Sequence, residues 1–443
     1  MNIKHMDKFI TLFVILFTFY IFYPGQLSID TFIQLKQSQT SIYNDWQPPI
    51  MSYLLRLFSH VTTPTALFIL AQILCFSIGS YLLFKAWQSG HKSDYIYLLI
   101  PLLPPVFTLI GVVWKDIFFA SLLFLTFCAT EYIKNNPLKT LLSKSSVLIL
   151  FLVLLAIAQM FRTNGLFFTL FLCSYFVKTL WENKISRALV YLLAIVHAVI
   201  TIWFTQYFNY TFLGAEKTRP LQYTMYYDLV GISRFAQYNY VPSFAMPSHC
   251  DTFKLTDIYD YHGGDNLFAD TYYNKNECKL NWVKNDQEYS QLQNAWLGAI
   301  KSDVVSYIIH RFYFFASFLK LDSLKPNVAV YINTDVNEFG INYEFNMIRK
   351  AVIGLYYTLT LNPFFYPWFY FVILILSQLK FVRFRVNIDF DIFAGCMLYM
   401  LGFAVFGPGQ VYRYTYPVAV ILTALILRHL MDAFRNRKRR QLA

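Results

Sequence analysis

Long apolar runs separated by short polar loops set the pattern of this chain. Such runs lie near Phe9–Tyr23, Thr65–Phe84, Tyr95–Val113, Ile117–Ile133, Val147–Phe161 and Leu166–Val177. They return near Ala188–Phe208, Ala351–Leu379, Ile392–Phe406 and Tyr414–Leu427. Each approaches the roughly 20 apolar residues that cross a bilayer, so the pattern predicts an all-α polytopic membrane protein with about ten transmembrane helices. The first run is short, but no small-residue cleavage site follows it, so it reads as an anchor rather than a signal peptide. Pro101, Pro104 and Pro105 are placed to break the third helix, and Pro363 with Pro367 the eighth.

Composition agrees with that pattern. Of 443 residues, 57% are hydrophobic and 14% charged, with a mean hydropathy of +0.42. A soluble domain carries about 25% charged residues. The net charge of +12 is not spread evenly. One set of alternate loops holds Lys4, Lys8, Lys85, Lys92, Lys134, Lys139, Lys144, Lys178, Lys184, Arg187, Lys380, Arg383 and Arg385. The tail adds Arg435, Arg437, Lys438, Arg439 and Arg440 on the same side. Short Lys/Arg-rich loops stay cytoplasmic. Both termini are therefore expected inside, in a multi-pass protein of the cell inner membrane, with the excess charge facing anionic lipid. Nucleic acid is not an expected partner.

The segments then expected outside are 24–63, the turns 114–116 and 162–165, the long stretch 209–350, and 407–413. The unusual polar residues gather there: Asp30, Asp45, Lys115, Asp116, Arg162, Asn164, Gln410 and Arg413. Together on one face they outline the rim of a site. The organisation expected is a transmembrane module over 1–208, whose first outer loop is 24–63. An extracytoplasmic domain over 209–350 follows the seventh span, and C-terminal helices with a basic tail occupy 351–443. Cys250 and Cys278 are the cysteines outside the apolar segments, and their confinement to that domain suggests a disulfide. Cys75, Cys128, Cys173 and Cys396 lie in apolar runs as small hydrophobes. His249 and His262 do not follow a zinc-ligand spacing.

Within 294–319, Trp296, Ile300, Val304 and Ile308 recur at helical spacing, predicting one amphipathic helix on the membrane; lying flat, re-entering and spanning all remain open for 303–321. No Gly-rich phosphate loop appears, which argues against a P-loop ATPase. In the first outer loop, periodicity from Ile29 through Phe32, Ile33 and Leu35 predicts a short surface helix. Asp30, Gln34 and Gln37 share its polar face. Asp45-Trp46-Gln47-Pro48-Pro49 closes the loop, with Trp46 suited to the interface or to stacking on a sugar ring. A carboxylate beside a membrane is costly unless it binds, pairs or catalyses.

Asp30, followed by Tyr43-Asn44-Asp45-Trp46-Gln47-Pro48-Pro49, resembles the first outer loop of GT-C membrane glycosyltransferases, such as protein O-mannosyltransferases and lipid A aminoarabinose transferases. The Trp114-Lys115-Asp116 turn stands where such proteins often carry another functional acid. Phe161-Arg162-Thr163-Asn164-Gly165 and Tyr412-Arg413-Tyr414 resemble outer-end motifs of bacterial GT-C-like proteins. The likeness covers roughly the first 210 residues in layout. Two departures stand out: Asp30 lies between Ile29 and Thr31 rather than beside a second acid, and Gln47 occupies the place of a histidine found in some members. Glutamine neither shuttles a proton nor ligates zinc.

The resemblance implies a GT-C-like fold and an inverting glycosyltransferase. Such an enzyme moves a sugar from a polyprenyl-phosphate carrier to a glycan, lipid or protein acceptor at the outer face of the membrane, in the cell envelope. It needs a base for the acceptor hydroxyl and cations for the departing phosphate. Asp30 is the expected base, and Asp116 the second acid, placed to hold Lys115, orient the acceptor or bind a divalent metal ion; metal dependence is left open. Lys115, Arg162 and Arg413 are the expected phosphate ligands. Gln34, Asp45, Trp46, Gln47 and Asn164 complete the expected substrate-binding set. The competing expectation is a transporter or flippase of a lipid-linked saccharide or other amphiphile.

Overall fold

The computed structural model describes residues 5–250, 256–257, 259–268, 278–322, 330–331, 337–379, 385–407 and 409–442. Lys4, Lys380 and Arg383, and the side chains of Lys438, Arg439 and Arg440, lie outside the described residues. Helices dominate, and the described residues contain no strand beyond isolated bridges. The chain divides into two compact units. The first comprises Met1–Glu216, Val328–Tyr399 and Tyr412–Ala443; the second comprises Lys217–Asn327 and Met400–Val411.

The first unit opens with α1 (Met6–Phe22), α2 (Ile29–Thr40), α3 (Pro49–Ser59) and α4 (Pro64–Trp87). A short α5 (Pro104–Phe107) precedes α6 (Lys115–Asn135), α7 (Leu141–Phe161), α8 (Leu166–Leu180) and α9 (Arg187–Gln206). Among the described residues, five helices are long and apolar enough to cross a membrane: 64–87, 115–135, 141–161, 187–212 and 412–437. Their burial differs sharply. The apolar window of α6 is 83% buried and that of α7 only 17%, so α6 is the central post, packed on α4, while α7 turns its leucines outward, as a lipid-facing helix does.

The prolines act as their chemistry requires. The third expected span, 95–113, is not one helix: a 3-10 segment covers Lys92–Leu102 and α5 adds four residues. The eighth, 351–379, is likewise two short helices. Proline removes a backbone donor and disfavours helical geometry at the residue before it.

The second unit holds α10 (Leu221–Ala236), α11 (Asp286–Ser302) and α12 (Val304–Phe318). The single helix expected across 294–319 is broken at Asp303, whose Oδ1 accepts from Ser306 N at 2.9 Å and caps α12. The apolar stripe of α12 lies on its outer side, open to a membrane. Val304, Ile308 and Phe312 are exposed, whereas Ser306, His310, Arg311 and Phe314 are buried. Cys250 and Cys278 form the expected disulfide. Returning to the first unit, α13 (Met347–Thr358) and α14 (Pro367–Gln378) precede α15 (Phe390–Phe406), whose residues to Tyr399 belong to that unit. Finally, α16 (Tyr412–Leu442) packs along α6.

Candidate functional site

A frame of main-chain and side-chain bonds locks the start of α2 to the start of α6. Gln26 N donates to Gly111 O at 3.0 Å and Val113 N returns a bond to Gln26 O at 3.0 Å. The Gln72 amide, fully buried on α4, donates to Ile110 O and Val112 O at 3.1 and 3.2 Å. Thr31 Oγ1 donates to Val113 O at 2.9 Å, and Trp114 Nε1 to Ser28 Oγ at 2.7 Å. Gly25 makes the approach possible: its φ is +117°, and a Cβ there would come 2.8 Å from Val113 Cγ2. Asp30 and Asp116 thereby sit in the first turns of two fixed helices, where the helix dipole favours a carboxylate.

Both acids are clasped by arginine. Asp30 Oδ2 accepts from Arg413 Nη1 at 2.9 Å, and Oδ1 from Gln47 Nε2 at 3.1 Å. Asp116 has no exposed surface; it is ion-paired with Arg162, and Arg413 Nε stands 3.5 Å from its Oδ2. The Arg413 guanidinium lies 4.6 Å from the Trp114 ring centroid, and that of Arg162 4.8 Å from Tyr414. Lys115 donates to Gln47 Oε1. No carboxylate among the described residues comes within ion-pair distance of Lys115, so the Lys115–Asp116 pair, one of the alternatives for Asp116, does not form; Asp116 has arginines instead. Gln34, buried on α2, leaves its Oε1 without a hydrogen-bond partner among the described residues.

Asp30, Gln34, Gln47, Lys115, Asp116 and Arg413 line one narrow cleft of about 10 Å³. Arg162 joins it through Asp116. Small-molecule sites usually enclose about 300–1,000 Å³, so this cleft has room for a water-sized group rather than a whole ligand. Three other expected residues lie elsewhere. Asp45 Oδ2 accepts from Tyr210 OH at 2.6 Å, Trp46 does not line the cleft, and Asn164 is exposed in the turn after α7. The polar face of α2 turns inward: Gln34 and Gln37 are buried, while Ile29 and Ile33 are exposed. A metal centre does not fit this donor set. No group of three or more His, Cys, Asp and Glu side chains placed to hold a metal ion occurs among the described residues, and the Asp116 oxygens face guanidinium groups.

The second unit holds a polar core outside the sequence-expected site. Asp228, fully buried on α10, accepts from His310 Nε2 at 3.0 Å and Trp296 Nε1 at 2.8 Å, with Arg311 Nη2 at 2.6 Å. Tyr259 OH lies 2.7 Å from His310 Nδ1. Burial pushes Asp228 up, but the Arg311 charge and the His310 hydrogen bond outweigh it and hold the carboxyl below its ordinary range. The available signal was the His310-Arg311 pair inside an apolar run. No protein-family model, curated protein or solved structure matches this chain.

Proposed function

We propose that the protein is a membrane glycosyltransferase of GT-C type, taking a sugar from a polyprenyl-phosphate donor to an acceptor hydroxyl with inversion. The observation that carries this reading is the charge balance of the cleft: Lys115, Arg162 and Arg413 stand against Asp30 and Asp116, and Lys115 forms no ion pair with a carboxylate among the described residues. A partly buried excess cation calls for an anionic ligand, and the phosphate of the donor supplies it.

In this reading Asp30, the more exposed acid, accepts the proton of the acceptor hydroxyl. The freed oxygen attacks the anomeric carbon as its bond to the carrier phosphate breaks. The departing polyprenyl phosphate takes the negative charge, which Lys115 and Arg413 stabilise. Asp116 acts as a positioning residue that sets Arg413 and Arg162. The unpartnered Gln34 Oε1 is placed to accept from a sugar or acceptor hydroxyl. Purified protein incubated with a panel of polyprenyl-phosphate sugars should release carrier phosphate with transfer to an acceptor; turnover of no donor overturns the reading.

The broken segments 92–107 and 347–378 favour the second reading, a transporter of a lipid-linked saccharide, because interrupted helices mark many transport sites. Carrier translocation in liposomes without turnover is the result that selects it.

A further inference from the structure

The pairing of acid and arginine at the cleft repeats at the other end of the same two helices. Fifteen residues beyond Asp116 on α6 stands Glu131, and fifteen beyond Arg413 on α16 stands Arg428. At 1.5 Å per residue that is about 22 Å along each helix. Arg428 Nη1 donates to Glu131 Oε2 at 3.1 Å, and Trp87 Nε1 donates to the same oxygen at 2.9 Å. Around this pair opens a polar cavity of about 260 Å³, near the lower end of the roughly 300–1,000 Å³ of ligand sites.

Its unspent hydrogen-bonding capacity has two signs. Glu131 is consumed by Trp87, Tyr175 and Arg428. Arg428, by contrast, makes that one hydrogen bond and keeps its other donors unpartnered among the described residues. Lys134, half exposed, stands 3.8 Å from Glu131 Oε1 and donates to Tyr175 OH at 3.1 Å, and His429 has no bond among the described residues. On the acid side, Lys178 occupies Asp389 Oδ1 at 2.9 Å and Arg435 occupies Asp432 Oδ1 at 3.1 Å. The second oxygen of each has no partner among the described residues. A purely anionic ligand would meet those carboxylates; a cation alone would meet Arg428 and Lys134.

We propose that this cavity binds the zwitterionic head group of a phospholipid with a phosphodiester and a primary ammonium, as in phosphatidylethanolamine. Arg428, Lys134 and His429 take the phosphate, Arg428 through its planar fork. Asp389 and Asp432 take the ammonium, whose three N–H donors match open carboxylate oxygens. The cavity lies at the end of membrane-length helices, where head groups reach, and basic pockets between such helices are known lipid sites. The inference does not depend on glycosyl transfer.

The test is native mass spectrometry of the full-length protein with dioleoyl phosphatidylethanolamine, phosphatidylglycerol and phosphatidylcholine, with free phosphoethanolamine as competitor. Phosphatidylethanolamine should be retained about tenfold more strongly than the other two. Asp432→Asn, at an exposed position, should erase its preference over phosphatidylcholine while leaving the thermal unfolding midpoint unchanged. His429→Gln should weaken all three. Displacement by phosphoethanolamine would assign the site to the head group in either lipid or soluble form. Equal or stronger retention of phosphatidylglycerol overturns the proposal, as does retention of phosphatidylethanolamine that neither Asp432→Asn nor phosphoethanolamine reduces.

Discussion

Arg413 Nη1 lies 2.9 Å from Asp30 Oδ2 across 383 residues of sequence. Its Nε faces Asp116 at 3.5 Å, so one guanidinium joins the first turn of α2, the first turn of α6 and the start of α16. The cleft is thus held by the two ends of the chain together.

If Asp30 is the base, Asp30→Asn should lower transfer by about 10²- to 10⁴-fold while donor affinity stays near the parent value. Turnover with a polyprenyl-phosphate sugar and donor binding, measured on the same preparation, separate the two effects. Parent-like turnover would remove Asp30 from the chemistry.

The Asp116–Arg162 pair is buried on both sides, at 0% and 6% side-chain exposure. Breaking it with Arg162→Gln should cost about 3–5 kcal/mol, because a charge is left buried. Adding Asp116→Asn should restore part of that loss, with a coupling of about 0.5–3 kcal/mol in a double-mutant cycle. Thermal unfolding in detergent reads both numbers.

His262 predicts a pH dependence. Its hydrogen bond to Asp260 raises its pKa above 6.5, with the Asp260 and Asp322 charges adding to the effect against burial and Lys320. A histidine raised on folding stabilises the fold fully below its unfolded value and loses that contribution as pH rises through the folded value. The unfolding midpoint should therefore fall from about pH 6.5 upward, and His262→Gln should flatten that slope in a midpoint-versus-pH series.

Cys250 and Cys278 close a loop with a sequence separation of 28. Replacing both with serine should destabilise the second unit by about 2–5 kcal/mol. Proteolysis of the full chain, with and without reductant, should show the same new cleavage in the double variant and in the reduced parent.

Much of this arrangement was legible from local signals. Asp30, Gln34, Gln47, Lys115, Asp116 and Arg413 were singled out by type and position, and they share one cleft. The proline breaks and the disulfide were readable too, because a missing N–H and a segregated cysteine pair are local facts. Asp45, Trp46 and Asn164 carried similar signals, yet packing places them away from that cleft. Asp228 carried almost no signal, since its partners His310 and Trp296 come from distant segments.

The sequence by itself determined which residues share a helix face and where helices break, since periodicity and proline chemistry act over a few residues. Which way each face turns was decided only in three dimensions. On α2 and α12 the polar side lies inward and the apolar side outward, the reverse of a helix resting its apolar face on a protein core in water. Periodicity is the same whether the neighbour is water, lipid or protein, and only the surrounding helices choose. The partner of Asp116 was decided the same way: Lys115 is adjacent in sequence, but α7 and α16 bring Arg162 and Arg413 to its carboxylate.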